Sequence, residues 1–192
     1  GSSLGSVLAH RQKHIDWKDP YLGYDMGYKT DNSEIVQYLL KNKICGLSRG
    51  KAEFGPRALG NRSLIADPRD PHIKDKVNEI KQRQKFRPFA PVILEEYYDQ
   101  YFCKGGNNYM QFAVKSKTQL YPSILHVDNT SRVQVLSKSD NPKFYDLLSQ
   151  WNDVTGCPIL LNTSLNIKGQ PMVNDEIQSK KWEHTYNIPV FT

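Results

Sequence analysis

The sequence predicts an α/β (α+β) fold in which helices flank a twisted, mixed β-sheet. Segments with strand and helix periodicity alternate along the chain, which is typical of layered α/β domains. The 192 residues are enough for one domain with a sizeable core, and hydrophobic (38%) and charged (24%) contents are ordinary for a globular protein. We expect residues 1–30 to be a lead-in or linker, with GSSLGSVLAH as the end of a helix, and residues 31–192 to form the domain.

Hydrophobic periodicity predicts two helices and two strands in the first half of the domain. Ile35 and Leu39 lie four residues apart on one helix face, and Asp31 or Asn32 can cap that helix. Apolar runs that end at a glycine or at Asp-Pro indicate strands. The predicted bounds are 33–42 and 70–84 for the helices, and 43–50 and 63–69 for the strands.

In the second half, alternating polar and apolar residues predict half-buried strands, and a continuous apolar run predicts a buried one. Gly156 is placed to end a helix. The pattern after residue 181 is mixed and gives no clear element. The predicted strands begin at 91 and cover 109–116, 131–137 and 158–162, and the predicted helix covers 144–156.

Charge and cysteine content narrow the class of partner and compartment. The formal net charge of +6 favours anionic partners without separating nucleotides from nucleic acid. Three widely spaced cysteines without a CxxC predict a reducing, cytoplasmic setting and no zinc site, although one disulfide plus a free thiol stays open. No apolar run approaches the roughly 18 residues of a membrane span, and no signal peptide is evident.

Two segments place basic side chains among glycines and prolines, RGKAEFGPRALGNRS at 49–63 and KQRQKFRPFAP at 81–91. Glycine lets backbone N–H groups approach an anion, and arginine supplies a fork of donors, so the pattern predicts a phosphate site. We expect Glu53 and its neighbouring arginines to crowd around a counter-anion, and Arg87 to be held between Phe86 and Pro88-Phe89. The simpler alternatives are a solvated surface turn and helix-end charges that complement the helix dipole.

Two further segments carry polar groups. NTSLN at 162–166 follows a buried strand, where ligands of α/β sheets usually bind, although it also suits a polar turn. In HVDNTSRVQ at 126–134, His126 and Asp128 would share a strand face, but two ligands are weak evidence for a metal, and Arg132 is the better anion contact. The sequence contains no P-loop motif and no nucleophile elbow.

Taken in order, the four segments AEFGPRALGNRSLIADPRD, VNEIKQRQKFRPFAPVILEE, HVDNTSRVQ and TGCPILLNTSLNIKGQPMV strongly resemble the C-terminal region of the O-carbamoyltransferases. This family includes the nodulation-factor, cephalosporin and tobramycin carbamoyltransferases. The resemblance runs from about residue 31 to 175 and is lost over 176–192. It implies a YrdC-like fold, with Lys81-Gln82-Arg83 matching the KxR signature and Ser164-Leu165-Asn166 matching the SxN signature.

The resemblance implies that the domain uses ATP, with Mg²⁺ carried by its phosphates, and carbamoyl phosphate to make carbamoyl-adenylate. An actin-like, metal-binding domain upstream in the same polypeptide would then pass the carbamoyl group to an acceptor hydroxyl. It implies catalytic roles for Lys81 and Arg87 and no protein-bound metal. The implied contacts to ATP or carbamoyl phosphate are Arg57, Lys81, Arg83, Arg87, Arg132, Asn162, Ser164 and Asn166, with Arg49 and Glu53 as further candidates.

We expect Arg57, Lys81, Arg87, Arg132 and Ser164 to converge on one cavity. Two other classes of function stay open: a basic, concave RNA-binding domain and a structural partner without catalysis. RNA binding would need exposed aromatics among the charges, and the nearby Phe86 and Phe89 both suit packing. The acceptor substrate is not determined by these residues.

Overall fold

The structure, a computed structural model, describes residues 2–14, 16 and 18–192. The predicted lead-in therefore contains positions 1, 15 and 17 that lie outside the described residues. Six α-helices occur in the described part of the chain: α1 (Ser2–Arg11), α2 (Asn32–Asn42), α3 (Ile73–Ile80), α4 (Tyr98–Tyr101), α5 (Pro142–Thr155) and α6 (Glu176–Tyr186). No helix of these ranges is both long and apolar enough to cross a membrane.

The α/β fold with a mixed sheet is confirmed. The six-stranded main sheet has the order β10-β2-β4-β9-β5-β8, in which the central pairs are antiparallel and the two outer pairs, β10–β2 and β5–β8, are parallel. Its strands are β2 (Ile44–Ser48), β4 (Arg62–Ala66), β5 (Ala90–Leu94), β8 (Gln134–Leu136), β9 (Ile159–Ser164) and β10 (Val190–Phe191). Two small antiparallel sheets pair β1 (Tyr21–Asp25) with β3 (Lys51–Glu53) and β6 (Val114–Lys115) with β7 (Thr130–Ser131).

Each face of the main sheet packs against its own hydrophobic core, and successive residues of a strand point to opposite faces. In β4, Leu64 packs in the core that includes α3 and α6, whereas Ile65 packs in the core that includes α2 and α5. Trp182 anchors α6 in the first core, and Trp151 anchors α5 in the second. The sheet is therefore fixed from both sides, and the ends of its strands can hold side chains in defined positions.

The helix expected over 70–84 ends at Ile80, because Gln82 has a positive φ of 46° and Arg83 N–H turns back to the Asn78 carbonyl. The strand expected over 109–116 is confined to β6. Met110 has a positive φ of 55°, which a strand does not tolerate. The strand expected over 131–137 is likewise reduced to β7 and β8. Residues 81–89 and 102–113 are thus mostly loops.

The last element pair was not predicted. Asp175 caps α6 by accepting from the Gln178 N–H at 2.9 Å, and β10 then pairs with β2 at the edge of the sheet. The segment expected to be a lead-in contributes α1 and β1, and β1 pairs with β3.

Candidate active site

A cavity of about 490 Å³ opens at the end of β9. Four loops complete it: the one before β4, the one after α3, the one before β6, and the one that leads into β7, while Arg132 follows β7 directly. Its charged lining residues are Arg57, Arg83, Arg87 and Arg132, and no carboxylate lines it. Asn162, Thr163 and Ser164 of β9 form part of its wall. The structure thus places four arginines from distant parts of the sequence around one opening that has no acidic counter-charge.

Arg57 lies on a loop that Glu53 organises. The buried Glu53 Oε1 accepts backbone N–H groups from Leu59 at 2.7 Å, Asn61 at 2.8 Å and Arg62 at 3.2 Å. Burial raises the pKa of Glu53, and these donors oppose that shift. The expectation that Glu53 belongs to an anion site is wrong, because its carboxylate is used to fold the loop and does not line the cavity.

Arg62 and Arg49 are also excluded from this cavity. Arg62 is fully buried and donates to main-chain carbonyls of both neighbouring and distant residues, among them Gly50 at 3.1 Å and Asn174 at 3.0 Å. Arg49 is 1% exposed and lines a different cavity beside Asn32. The expected crowding of arginines around a single anion is therefore wrong, since only Arg57 of this segment faces the candidate site.

Lys81 does not itself line the cavity but contacts Ser164, which does. Its Nζ donates to the Ser164 carbonyl at 2.7 Å and to Asn166 Oδ1. Ser164 Oγ also donates to Asn166 Oδ1, at 2.7 Å. Burial, followed by the nearby charge of Arg83, lowers the pKa of Lys81 to about 8. The KxR and SxN segments, more than 80 positions apart in the sequence, thus meet in one hydrogen-bonded cluster at the cavity wall.

Arg83 is fixed more firmly than Arg87. Arg83 Nε donates to Asn78 Oδ1 at 2.7 Å and its Nη2 to the Pro88 carbonyl at 3.0 Å, while the guanidinium lies 3.8 Å from the centroid of the Phe89 ring. Burial and the charge of Arg87 lower the pKa of Arg83 to about 10. Arg87 is exposed at the cavity.

The expectation that Arg87 is held between Phe86 and Pro88-Phe89 is wrong, since the guanidinium of Arg83 packs on the Phe89 ring instead. Phe86 is also not a packing residue, because it is 72% exposed at the cavity rim.

Asn162 ties the floor of the cavity to the Arg57 loop. Its Nδ2 donates to the Ala58 carbonyl at 3.2 Å and to Gln134 Oε1 at 2.7 Å, and Gln134 Nε2 donates to the Leu59 carbonyl at 3.2 Å. Gln134 is buried and was not predicted. Its signal was a single amide between the apolar residues Val133 and Val135 of a predicted strand, but the sequence does not show which loop that amide would bind.

His126 and Arg132 both line the cavity, but the expected strand geometry of His126 and Asp128 is wrong. Asp128 Oδ1 accepts from the Thr130 backbone N–H at 3.0 Å and hydroxyl at 2.7 Å, which closes a turn, and His126 Nδ1 lies 2.8 Å from Thr130 Oγ1. Within residues 2–14, 16 and 18–192, no group of three or more potential metal ligands is found.

Arg57 and Arg132 influence each other electrostatically. Burial, followed by the charge of Arg132, lowers the pKa of Arg57.

The model of the family described as carbamoyltransferase C-terminus matches residues 36–190, so the expectation that the resemblance ends at about residue 175 is wrong. An uncharacterized protein of Methanocaldococcus jannaschii is 40% identical over 166 positions, covering 84% of this chain and 27% of that protein. Nodulation protein NolNO of Sinorhizobium fredii is 38% identical over 184 positions, covering 91% of this chain and 26% of the relative. The chain thus spans about a quarter of the length of these curated relatives.

Among solved structures, full-length HypF in its phosphate- and nucleotide-bound form is similar with a TM-score of 0.57 and 14% identity, covering 85% of this chain and 20% of that chain. HypF of T. kodakarensis is similar with a TM-score of 0.53 and 15% identity, covering 84% of this chain and 20% of that chain. At sequence identities of 14–15%, these structural similarities show that the fold is shared.

Proposed function

The chain belongs to the family of the carbamoyltransferase C-terminus, and from this we propose that it is the carbamoyl-adenylate-forming domain of an O-carbamoyltransferase. The proposed substrates are ATP and carbamoyl phosphate. The reaction would join the carbamoyl group to AMP with the consumption of water. Pyrophosphate would leave from ATP and inorganic phosphate from carbamoyl phosphate.

One observation carries the proposal: four arginines line a single cavity without a carboxylate among its lining residues. Two polyanionic substrates repel each other in water, and a preorganised set of cations lets them approach and stabilises the charge that moves to the leaving groups. Arg57 and Arg132 would hold one anion, and Arg83 and Arg87 the other. Arg83 is prepositioned by Asn78 and Pro88, so little of its freedom remains to be lost on binding.

Ser164 would bind the carbamoyl or phosphate end at the tip of β9, and Lys81 and Asn166, which do not line the cavity, would hold Ser164 in position. Lys81 Nζ has neutral oxygen partners from the other two residues and no carboxylate partner among the described ion pairs. Its charge is therefore not neutralised by a carboxylate, and because Lys81 does not line the cavity, that charge would act on a bound anion through Ser164. Both N–H groups of Asn162 are used by the Ala58 carbonyl and Gln134, whereas its Oδ1 has no partner among the described residues, so Asn162 would accept a hydrogen bond from the carbamoyl N–H group at the floor.

ATP would bring Mg²⁺, which neutralises phosphate charge. The lining residues fit a metal held by phosphates, because they offer no carboxylate to bind it directly. The residues of this chain would then contact phosphate oxygens that the metal leaves free.

The test is a pyrophosphate-release assay with ATP, Mg²⁺ and carbamoyl phosphate. We expect release that stops when carbamoyl phosphate is omitted. Transfer to an acceptor would require the proposed upstream actin-like domain, so a panel of aminoglycosides should remain uncarbamoylated by this chain alone. Release that is independent of carbamoyl phosphate would contradict the assignment, and robust acceptor transfer would contradict the proposed division of labour.

A basic RNA-binding domain is the second candidate, and the exposure of Phe86 at a basic rim favours it. An exposed ring can stack on any base, including that of ATP. Competition separates the two: single-stranded RNA that binds more tightly than ATP, in the absence of pyrophosphate release, would support RNA binding.

A further inference from the structure

A second cavity, of about 560 Å³, lies where the N-terminal ends of α2 and α5 meet. Asn32 Nδ2 bridges the two helices by donating to the Lys143 carbonyl at 3.3 Å. The segments 28–33 and 143–150 supply most of its wall, and none of its lining residues lines the candidate active site. It is therefore a separate feature of the fold.

Arg49 is a buried cation in the wall of this cavity and has only neutral partners. It is 1% exposed, and its Nη atoms donate to Asn32 Oδ1 at 2.7 Å and to the Lys143 carbonyl at 3.2 Å. Its Nε has no hydrogen-bond partner among the described residues. None of the ion pairs found in the described part of the chain includes Arg49. A buried charge without an opposite charge is unfavourable, so this guanidinium is prepared for an anion.

Other groups at the cavity add to the positive potential. The Arg49 guanidinium carbon and Lys143 Nζ lie 5.7 and 5.8 Å from the centroid of the Tyr28 ring, which brings two cations to one ring. Lys29 also lines the cavity. The N-terminus of α2 contributes the positive end of an 11-residue helix, and its N-cap residue Asp31 makes no side-chain cap hydrogen bond.

Two carboxylates line the same cavity, Asp31 and Asp146. Asp146 Oδ1 also lies 3.9 Å from Lys138 Nζ, in an exposed ion pair that contributes little. Three cations therefore face two carboxylates, and hydroxyl groups of Thr30, Ser33 and Ser149 supply further donors. This mixture of cations, hydroxyls and a helix N-terminus is the chemistry that recognises a phosphoryl group.

We propose that this second cavity binds a phosphoryl group, either as inorganic phosphate or as the phosphate of a small ester. Arg49 and Lys143 supply the charge, and the first-turn N–H groups of α2 supply directional donors. The proposal does not depend on the function assigned to the first cavity, because the two cavities share no lining residue.

The test is a titration of the ¹⁵N-labelled chain with inorganic phosphate at constant ionic strength, with chloride as the compensating ion. We expect saturable shifts of the backbone amides of 29–33. Thr163 and Ser164 amides report the first cavity separately, and the shifts at 29–33 should persist in Arg87→Ala. A parallel titration with AMP identifies the source of the phosphoryl group by showing which compound saturates at lower concentration.

Lys143→Glu reverses one charge at an exposed position in the first turn of α5, where glutamate suits the helix dipole and the fold is retained. It should weaken phosphate binding at 29–33 by about tenfold or more. Lys41→Glu is the matched control, because it makes the same change of two charge units at an exposed lysine in the last turn of α2 that does not line the cavity. Absence of saturable shifts at 29–33, or equal affinity in Lys143→Glu and the unmodified chain, would overturn the proposal.

Discussion

Replacing Arg87 by alanine removes one cation from the candidate active site with little damage to the fold. Arg87 is exposed, and its side chain takes part in none of the ion pairs found among the described residues. The loop that carries it is held through main-chain atoms, since Asn78 Nδ2 donates to the carbonyls of Lys85 and Arg87 at 3.2 and 3.1 Å. The alanine variant should therefore keep the unfolding temperature of the unmodified chain.

The expected loss follows from Coulomb's law. A unit charge about 4 Å from a phosphate oxygen contributes about 1 kcal/mol if the site stays as wet as bulk water, and about 4 kcal/mol at the effective dielectric of a partly closed site. Arg87→Ala should therefore lower kcat/KM for pyrophosphate release by a factor of about five to a thousand.

Lys85→Ala is the matched control, because Lys85 belongs to the same basic segment but lies outside the cavity lining. Its side chain is 72% exposed, and its Nζ lies 4.0 Å from Glu79 Oε1. The assay is pyrophosphate release at fixed ionic strength, with thermal unfolding of both variants. If Lys85→Ala were as damaging as Arg87→Ala, bulk positive charge would explain the effect and the residue-specific site would be refuted.

Three further outcomes are expected. Because the pKa of Lys81 is lowered to about 8, its charge is lost as pH rises through that value, and kcat/KM for carbamoyl phosphate should fall above about pH 8. Lys81→Arg should move that decline to higher pH. Identical pH profiles for the two proteins would contradict a role for the Lys81 charge. Glu53→Ala leaves three buried N–H groups unpaired and should lower the free energy of unfolding, measured by urea denaturation, by about 3–5 kcal/mol. A loss below about 1 kcal/mol would show that the loop does not need this carboxylate. Gly60→Ala places a Cβ against the Phe144 ring at a φ of 114°, so it should lower the free energy of unfolding by about 2–4 kcal/mol in the same measurement. The control Gly156→Ala, with open space around the Cβ and a φ of 67°, should lower it by about 1 kcal/mol. Equal losses in the two variants would show that the Phe144 ring moves aside.

The positions of most secondary-structure elements could be predicted because their signals are local. The spacing of Ile35 and Leu39, the αL residue Gly156 after α5 and the apolar run of β9 each report conformation within a few residues. Element ends were predicted less well. Whether α3 continued beyond Ile80 depended on a turn at Gln82 that brings Arg83 back to Asn78.

The weakest sequence signal belonged to α6. Among its described side chains, its buried face consists of Ser179 and Trp182, so hydrophobic periodicity is nearly absent. Asp175 and Gln178 carried a capping pattern, but the helix is stabilised mainly by Trp182, which packs in the core that also contains Ile73 and Val77. Tyr186, one turn later, packs against the Trp182 ring with the centroids 4.9 Å apart, but two aromatic residues are too few for a clear periodicity.

The sequence by itself determined which chemistry was available: arginines and a lysine on glycine- and proline-rich loops, and short polar side chains after a buried strand. Only the tertiary structure decided which of these cations could meet a ligand. Arg57 and Arg62 are five positions apart, yet Arg57 lines the cavity and Arg62 is buried against main-chain carbonyls, one of them from Asn174 at the far end of the chain. Charge is a local property of the sequence, whereas burial and hydrogen-bond partners depend on the fold and include residues more than a hundred positions away. These determine whether an arginine binds an anion or holds the fold together.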